Sequence, residues 1–232
     1  MTLEEQNLAD EARQWVKKNH HILVNHFVNS KRFLPVSRPA AVFMAGSPGA
    51  GKTEFSKRIV AVFQDKIIRI DPDEIRNFLP GYTGKNAYIF QGAAAFGVEK
   101  VVDACFRTKY DFLLDGTMSD FIKSKANIER SIKTGRDVHI FYVYQDPKIA
   151  WEFTQKREEL EKRNIPLDAF VYGFMQARNT VRQLKEFFQD KIQVHLVVKN
   201  YQNNIKEDFL NVDDIDNYLP LPYTESQIRE ML

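Results

Sequence analysis

The stretch Gly46-Ser47-Pro48-Gly49-Ala50-Gly51-Lys52-Thr53 fits the pattern G-x-x-x-x-G-K-[ST] at every position. It follows the apolar run Ala40 to Ala45, which predicts a buried strand, and it opens a segment from Lys52 to Phe63 that predicts a helix. In this context the pattern is a phosphate-binding loop, because glycines let backbone N–H groups turn toward a polyphosphate and the helix N-terminus adds a partial positive charge. We therefore predict that all eight residues bind a nucleotide.

Two side chains of this loop have predicted chemical roles. Lys52 supplies a cation to the β and γ phosphates, and the hydroxyl of Thr53 can ligate Mg²⁺. A GTPase is expected to carry an N-K-x-D motif that reads the base after a later strand, and the sequence has none. ATP is therefore the default nucleotide, with GTP left open, and Mg²⁺ is the expected metal.

Short apolar runs alternate with helical segments along the rest of the chain. Four more strands are predicted, at residues 67–70, 112–114, 138–144 and 194–198. This alternation predicts an α/β fold with a mostly parallel five-stranded sheet covered on both faces, a three-layer sandwich. Together with the phosphate-binding loop and the motifs described below, it indicates a P-loop kinase-like fold with an N-terminal helix and a helical lid. We expect a single domain over residues 1–232, which comprises an N-terminal helical segment (1–36), the lid and following helix (148–190) and a C-terminal extension (201–232).

An acidic segment, Asp71-Pro72-Asp73-Glu74-Ile75-Arg76, follows the predicted second strand. Asp71 is a good N-cap and Pro72 a good first helical residue, so part of the segment has a structural explanation. Asp73 then lies at the carboxyl-terminal edge of the sheet, where ligands of such sheets bind. Two roles are open for it: accepting the proton of a substrate hydroxyl, or interacting with the helix dipole. Arg76 is predicted to bind substrate phosphate or to hold Asp73.

The third predicted strand ends in Leu113-Leu114-Asp115-Gly116-Thr117. An acid after apolar residues is typical of a Walker B element, whose carboxylate holds Mg²⁺ directly or through water. Many strands end in Asp-Gly turns, so the pattern gains weight only because a complete phosphate-binding loop precedes it. We predict that Asp115 and Thr53 hold the metal, and that Asp115 and Thr117 contact the substrate.

A charged segment from Lys156 to Pro166 is predicted to form a lid. Most of its charges are typical of a solvated helix with i, i+4 pairs. In phosphoryl-transfer enzymes, however, a mobile segment often brings an arginine over the transferring group, whose oxygens match the planar guanidinium. Arg157 and Arg163 are the predicted catalytic arginines, and Arg178 is a weaker third candidate.

The order of the motifs GSPGAGKT, DPDEIRNFLPGY, LLDGT and a two-arginine segment ending in RNIP resembles the zeta toxin family of P-loop kinases. The resemblance extends from Leu8 to Val198 and is most telling in D-x-D-x-x-R followed by Pro80 and Tyr82. It implies a kinase that uses ATP and Mg²⁺ to phosphorylate the 3′-hydroxyl of the amino sugar in UDP-N-acetylglucosamine. It also implies a small helical antitoxin as a partner.

Carried over by position, the resemblance implies that Asp73 is the catalytic base, that Lys52 and Thr53 have the roles given above, and that Arg157 and Arg163 are the lid arginines. The chain departs from the family pattern in several places. Asp115 stands where the family often has Glu, Ser119 stands near a frequent Arg, Ala93 to Ala95 replace a more polar helix start expected to face the sugar, and the interval from Arg157 to Arg163 is shorter. These departures concern the acceptor rather than the fold.

Composition excludes several other classes of protein. The 232 residues carry a net charge of +2, from 33 basic and 31 acidic residues, which offers no electrostatic basis for bulk nucleic-acid binding. A single cysteine, Cys105, permits no internal disulfide and favours a reducing compartment. The first ten residues are polar and acidic, unlike a signal peptide, and no apolar run approaches the roughly 20 residues that span a bilayer. We expect a cytoplasmic protein without a membrane partner.

Three alternatives remain open at this stage. A polynucleotide or nucleotide kinase also carries an acid followed by an arginine, although the near-neutral charge counts against it. A regulatory protein that hydrolyses ATP slowly and signals through a partner would share the same loop. The N-terminal helix, finally, either covers the core or masks the nucleotide site.

Overall fold

The computed structural model describes residues 1–161, 165–200 and 204–232. Its described strands form one sheet with the order β2-β3-β1-β4-β5-β6. Neighbours from β2 to β5 are parallel, and β6 pairs with β5 in the antiparallel direction. The strand bounds are β1 Ala40–Ala45, β2 Ile68–Ile70, β3 Phe112–Leu114, β4 Asp137–Tyr144, β5 Gln193–Lys199 and β6 Ile205–Phe209.

Helices connect the strands and cover both faces of the sheet. Their bounds are α1 Leu3–Phe27, α2 Lys52–Val62, α3 Pro72–Arg76, α4 Gln91–Phe106, α5 Phe121–Lys133, α6 Pro147–Glu161, α7 Leu167–Phe188 and α8 Glu225–Met231. Thr224 and Gln227 form a capping box at the start of α8. Within the described ranges, no helix combines the length and the apolar character needed to cross a bilayer.

β1 lies in the middle of the sheet and is apolar along its whole length, as expected for a parallel strand covered on both sides. Its side chains alternate between two cores. Ala41, Phe43 and Ala45 belong to the larger core with α1, α4, α5 and α7, whereas Val42 and Met44 belong to a smaller core with α2. The sheet between these layers is the predicted three-layer sandwich.

The prediction of a five-stranded sheet is wrong by one strand. β6 adds an antiparallel edge, and its sequence, Ile-Lys-Glu-Asp-Phe, carries three consecutive exposed charged residues. Because such a run neither alternates nor looks apolar, sequence reasoning missed it. Charged residues on an edge strand disfavour pairing with a further chain.

The N-terminal segment forms one long helix, α1. Ala12, Val16, Leu23 and Phe27 of α1 are buried in the larger core, and α1 packs mainly against α4. This packing favours the reading in which α1 covers the core over the one in which it masks the nucleotide site.

Arg178, the weaker lid candidate, has a structural role instead. It lies on α7 with only 7% of its surface exposed, donates from Nε to Asp216 Oδ1 at 2.8 Å and from Nη1 to the carbonyl of Pro220 at 2.9 Å. These bonds fasten residues 216–220 to α7. The prediction of a catalytic role for Arg178 is therefore wrong.

Two histidines on the neighbouring strands β4 and β5 stack on each other, on the α2 side of the sheet. The ring of His195 stacks on His139 and Phe141, and its Nε2 lies 3.1 Å from Nδ1 of His139. Nδ1 of His195 accepts the N–H of Asn211 at 3.2 Å, so the neutral ring carries its proton on Nε2 and donates it to His139. Burial, together with the neighbouring His139, lowers the pKa of His195 to about 4.

We expect this pair to make stability depend on pH. The folded-state pKa of about 4 lies below the ordinary 6.5, so the unfolded chain takes up the proton first as the pH falls. Between pH 7.5 and 4.5 the wild type should lose about 2–3 kcal/mol more unfolding free energy than His195→Gln, which keeps an acceptor for Asn211 but does not titrate. Urea unfolding at both pH values measures the difference. The exposed His21→Gln variant should behave like the wild type, and an equal loss in all three proteins would contradict the prediction.

Candidate active site

The phosphate-binding loop leaves the carboxyl end of β1 and turns through three glycines. Gly46, Gly49 and Gly51 have φ values of 139°, 73° and 86°, in the region that favours glycine. A Cβ atom at Gly46 would lie 2.4 Å from the carbonyl oxygen of Val143, and one at Gly49 would lie 1.9 Å from that of Ala150. The loop therefore has to be glycine at these points for the neighbouring backbones to approach it.

The loop has the features that a polyphosphate requires. Gly51 ends the loop and α2 begins at Lys52, so the N–H groups of the first helical turn lack intrahelical acceptors and are oriented for an anion. Nζ of Lys52 donates to the carbonyl of Ser47 at 2.6 Å, which places the cation across the loop. The N–H of Gly46 donates to the carbonyl of Thr117 at 3.1 Å, which ties the loop to the segment after β3.

A cavity of about 330 Å³ opens over this loop, at the carboxyl edge of β1, β2 and β3. It brings together the predicted residues of all the motifs that the structure describes. From the loop it is lined by Pro48, Gly49, Gly51, Lys52 and Thr53, and from the other motifs by Asp73, Arg76, Asp115, Thr117 and Arg157. The other three loop residues, Gly46, Ser47 and Ala50, are buried and are not among the lining residues.

Asp73 reaches the cavity on the first turn of α3. The carboxylate of Asp71 caps this helix, accepting the N–H of Asp73 at 2.8 Å, and Pro72 opens it, as predicted. Arg76, 3% exposed, donates to Asp73 Oδ1 and to Gln91 Oε1. Arg76 therefore holds Asp73, one of its two predicted roles, and it also lines the cavity.

Asp115 lies at the start of the turn after β3 and is 6% exposed. Its Oδ2 accepts from Ser56 Oγ at 2.7 Å and from Arg69 Nη2 at 2.6 Å. Arg69 also donates to Asp71 Oδ2 at 2.6 Å. Burial acts to lower the pKa of Arg69, but the two carboxylates outweigh it and raise that pKa, so the guanidinium stays charged.

The two side chains predicted to hold Mg²⁺ carry oxygen atoms that suit this ion. The hydroxyl of Thr53 and the carboxylate of Asp115 both line the cavity beside the loop. Hydroxyl and carboxylate oxygens suit this hard cation, which binds through few protein ligands together with substrate phosphates. The residues present thus fit the metal.

Arg157 lines the cavity from α6, and α6 lies directly against the phosphate-binding loop. The backbone of Ala150 approaches Gly49, as does Thr154, whose Oγ1 donates to the carbonyl of Ala150 at 2.9 Å. Arg157 follows Thr154 by three residues, on the same helical face. Arg163 lies outside the described residues, so its predicted role stays a prediction.

Sequence reasoning missed several residues of the site. Gln91 lines the cavity at the start of α4 and contacts Arg76, whereas Ala93 and Ala94 are buried in the core. Arg69 and Ser56 were missed because an arginine in a short strand and a serine in a helix carry no motif. The one available signal was the polar Arg69 between two buried isoleucines.

The parallel sheet, its strand order and the phosphate-binding loop after the central strand define a protein of the P-loop kinase fold class. A sequence profile described as "Zeta toxin" matches residues 24–209. The chain therefore belongs to the zeta toxin family, as the sequence predicts.

Individual relatives agree with this assignment. The curated toxin PezT of Streptococcus pneumoniae serotype 4 (strain ATCC BAA-334 / TIGR4) is 25% identical over 157 residues, which cover 65% of this chain and 59% of that protein. This chain thus matches little more than half of the length of that toxin.

Two solved structures share the fold. A chain from the PezAT chromosomal toxin-antitoxin system of Streptococcus pneumoniae matches with a TM-score of 0.63 and 18% identity, over 100% of this chain and 88% of that one. A chain from the complex of AvrRxo1-ORF1 and AvrRxo1-ORF2 with ATP matches with a TM-score of 0.58 and 14% identity, over 89% of this chain and 64% of that one. At these identities the matches establish the fold alone.

Proposed function

We propose that the protein is an ATP-dependent phosphotransferase that phosphorylates a hydroxyl group of a UDP-activated sugar, such as UDP-N-acetylglucosamine. One observation carries the proposal: a single cavity is lined by the lysine of the phosphate-binding loop, a carboxylate on α3, a carboxylate after β3 and an arginine on α6. These are the parts that phosphoryl transfer needs for positioning and for charge stabilisation. Membership of the zeta toxin family and the ATP of the AvrRxo1 complex also support it.

Each residue has a distinct role in this proposal. The loop residues 46–53 bind the triphosphate, with Lys52 on the β and γ phosphates. Thr53 and Asp115 would hold Mg²⁺, which when bound neutralises phosphate charge. The hydroxyl oxygen of the acceptor attacks the γ-phosphorus, and Asp73 accepts the proton of that hydroxyl. The bond between the γ-phosphorus and the β–γ bridging oxygen breaks, so that ADP leaves. Arg157 stabilises charge on the transferring group.

The acceptor is proposed to bind at the Asp73 end of the cavity. Arg76 lies there beside Asp73, with Gln91 beside Arg76, and Thr117 lines the same cavity; the three offer cationic and hydrogen-bonding groups to a polar substrate. A nucleotide sugar supplies both phosphates and hydroxyls, which match this mixture. The family resemblance supports the UDP-sugar, and the departures at Asp115 and Ser119 make the particular sugar the point to test.

The test is product identification. Purified protein is incubated with MgATP and a panel of UDP-sugars, and mass spectrometry searches for the mass of one added phosphate on the sugar. Parallel reactions contain RNA and DNA 5′ ends, or no acceptor. A phosphorylated UDP-sugar is the expected result; labelled nucleic-acid ends would instead identify a polynucleotide kinase, and ADP release without any phosphorylated product would identify a regulatory ATPase.

Replacing Asp73 with asparagine should lower kcat by about 10²- to 10⁴-fold, because asparagine cannot accept the hydroxyl proton. ATP binding should change little, since the loop and Lys52 remain. Coupled ADP-release kinetics and calorimetric titration with an ATP analogue measure the two quantities. The matched control is Asp65→Asn, an exposed residue with φ 58° whose conformation asparagine tolerates. A variant that retains wild-type kcat would exclude Asp73 as the base.

We also propose that a small antitoxin protein controls this activity. Membership of the zeta toxin family supports this, as does the fold shared with a chain from a toxin-antitoxin system. Co-expression with the product of the neighbouring reading frame tests it: a stable complex with reduced kinase activity is expected. Failure to co-purify would count against that product as the antitoxin. Cytoplasmic localisation stays a prediction.

A further inference from the structure

Arg69 has an unusual position for a charged residue. It is the middle residue of the three-residue strand β2, between Ile68 and Ile70, which are buried in the larger core. Alternation along the strand therefore directs Arg69 to the opposite face, where α2 supplies Ser56. Its side chain is only 15% exposed, and neither the motif of the phosphate-binding loop nor the Walker B motif calls for an arginine here.

The guanidinium of Arg69 lies between the two carboxylates that follow β2 and β3. Nη2 is 2.6 Å from Asp71 Oδ2 and 2.6 Å from Asp115 Oδ2, and Nε donates to Ser56 Oγ at 3.0 Å. Ser56 in turn donates to the same oxygen of Asp115 at 2.7 Å. Asp115 Oδ2 thus has two donors, while Oδ1 has none among the described residues.

Arg69 also links the two halves of the site. Its partner Asp71 uses the other oxygen, Oδ1, to cap the N–H of Asp73 at 2.8 Å. One guanidinium therefore positions Asp115 directly and the helical turn that carries Asp73 through Asp71. Removing it would leave two partly buried carboxylates without a cation, a costly arrangement that a metal ion could relieve.

We propose that Arg69 is a positioning residue that acts as a built-in cation: it occupies the place between Asp71 and Asp115 and leaves Asp115 a single oxygen for a metal ion. The divalent metal consequently binds together with the nucleotide and does not bind to the nucleotide-free protein. This inference rests on the proposed function, because it assigns Asp115 to the metal of the nucleotide.

Binding of Mn²⁺, followed by electron paramagnetic resonance, tests the inference. Nucleotide-free wild type should bind no Mn²⁺ at this site, and it should bind one ion when a non-hydrolysable ATP analogue is added. Arg69→Gln should gain a nucleotide-free Mn²⁺ site, at least about tenfold tighter than any binding by wild type, because two carboxylates lose their cation. The gained site should disappear in the double variant Arg69→Gln/Asp115→Asn.

Two further variants separate charge from structure. Arg69→Lys keeps the cation and should gain no Mn²⁺ site. Lys66→Gln removes the same charge from an exposed position and should behave as wild type. A purely structural role for Arg69 would lower the unfolding temperature of Arg69→Gln without creating a metal site, and that outcome would overturn the inference.

Measurements on the wild type and on Asp115→Asn test the inference even if Arg69→Gln does not fold. Nucleotide-free Mn²⁺ binding by wild type that is lost in Asp115→Asn would overturn the inference, as would no Asp115-dependent Mn²⁺ in the presence of the analogue. These measurements need no phosphoryl transfer. A protein that phosphorylates no acceptor but shows the expected Mn²⁺ pattern would therefore refute the proposed function and leave the role of Arg69 intact.

Discussion

Arg157→Met should lower kcat by about 10³-fold or more, the range expected when an arginine that stabilises a transferring phosphoryl group is removed. The KM for ATP should change far less, because the charge that Arg157 meets is greatest in the transition state. Arg157→Lys should restore little activity, since a point charge does not replace a planar guanidinium on phosphate oxygens. Steady-state kinetics with the acceptor found by the UDP-sugar panel measures all three proteins.

The packing of α6 gives this prediction its physical basis. The helix abuts the phosphate-binding loop where Ala150 and Thr154 meet Gly49, and Arg157 lies on the same face and lines the cavity. Arg157 is therefore carried by an element in contact with the loop. The matched control is Lys156→Met, which removes an exposed cation from the adjacent position. Loss of activity in both variants alike, or in neither, would refute a specific role for Arg157.

Arg136→Met should cost about 3–5 kcal/mol of unfolding free energy, a large share of the 5–15 kcal/mol typical of a folded protein. The guanidinium of Arg136 is 5% exposed and donates to the carbonyl oxygens of Tyr110 at 2.6 Å, Cys105 at 2.7 Å and Thr108 at 2.7 Å. It also lies 5.1 Å from the ring centre of Phe112. These carbonyls belong to the end of α4 and the segment that enters β3. Methionine would remove the guanidinium donor from all three of them, although the carbonyl of Cys105 would still accept from the N–H and the hydroxyl of Thr108.

Arg38→Met provides the comparison for Arg136. Arg38 makes a salt bridge to Asp137 at 2.8 Å, but its side chain is 78% exposed. An exposed pair contributes about 1 kcal/mol or less, so this variant should remain close to wild type in urea unfolding. Equal losses for the two variants would show that the buried carbonyl contacts of Arg136 do not stabilise the fold.

The phosphate-binding loop and its flanking elements could be predicted because their requirements are local. Gly49 needs a left-handed backbone, Lys52 and Thr53 need fixed spacing from it, and the strand before and the helix after follow from hydrophobic pattern and chain direction. The same holds for Asp71 as a helix cap. These interactions span a few residues, so the sequence contains them in full.

The position of the two carboxylates at the edge of the site could also be predicted. Asp73 and Asp115 each follow a strand, and carboxyl ends of neighbouring parallel strands meet at one edge. Sequence reasoning could therefore expect them near the loop without knowing their partners. It could not find Gln91, and it assigned Arg178 to the lid although Asp216 and Pro220 hold it.

Long-range partners account for what sequence reasoning missed. Arg69 meets Asp115 across 46 residues, Arg136 meets Tyr110 across 26, and β6 becomes a strand only because β5 offers it an edge. The sequence around an arginine looks the same whether its guanidinium lies in water or between two carboxylates. Periodicity and spacing determine where the helices, the strands and the phosphate-binding loop form, because backbone geometry acts over a few residues. The packing of the sheet determines which charged side chains meet, because burial and direct contact depend on segments far apart in the chain.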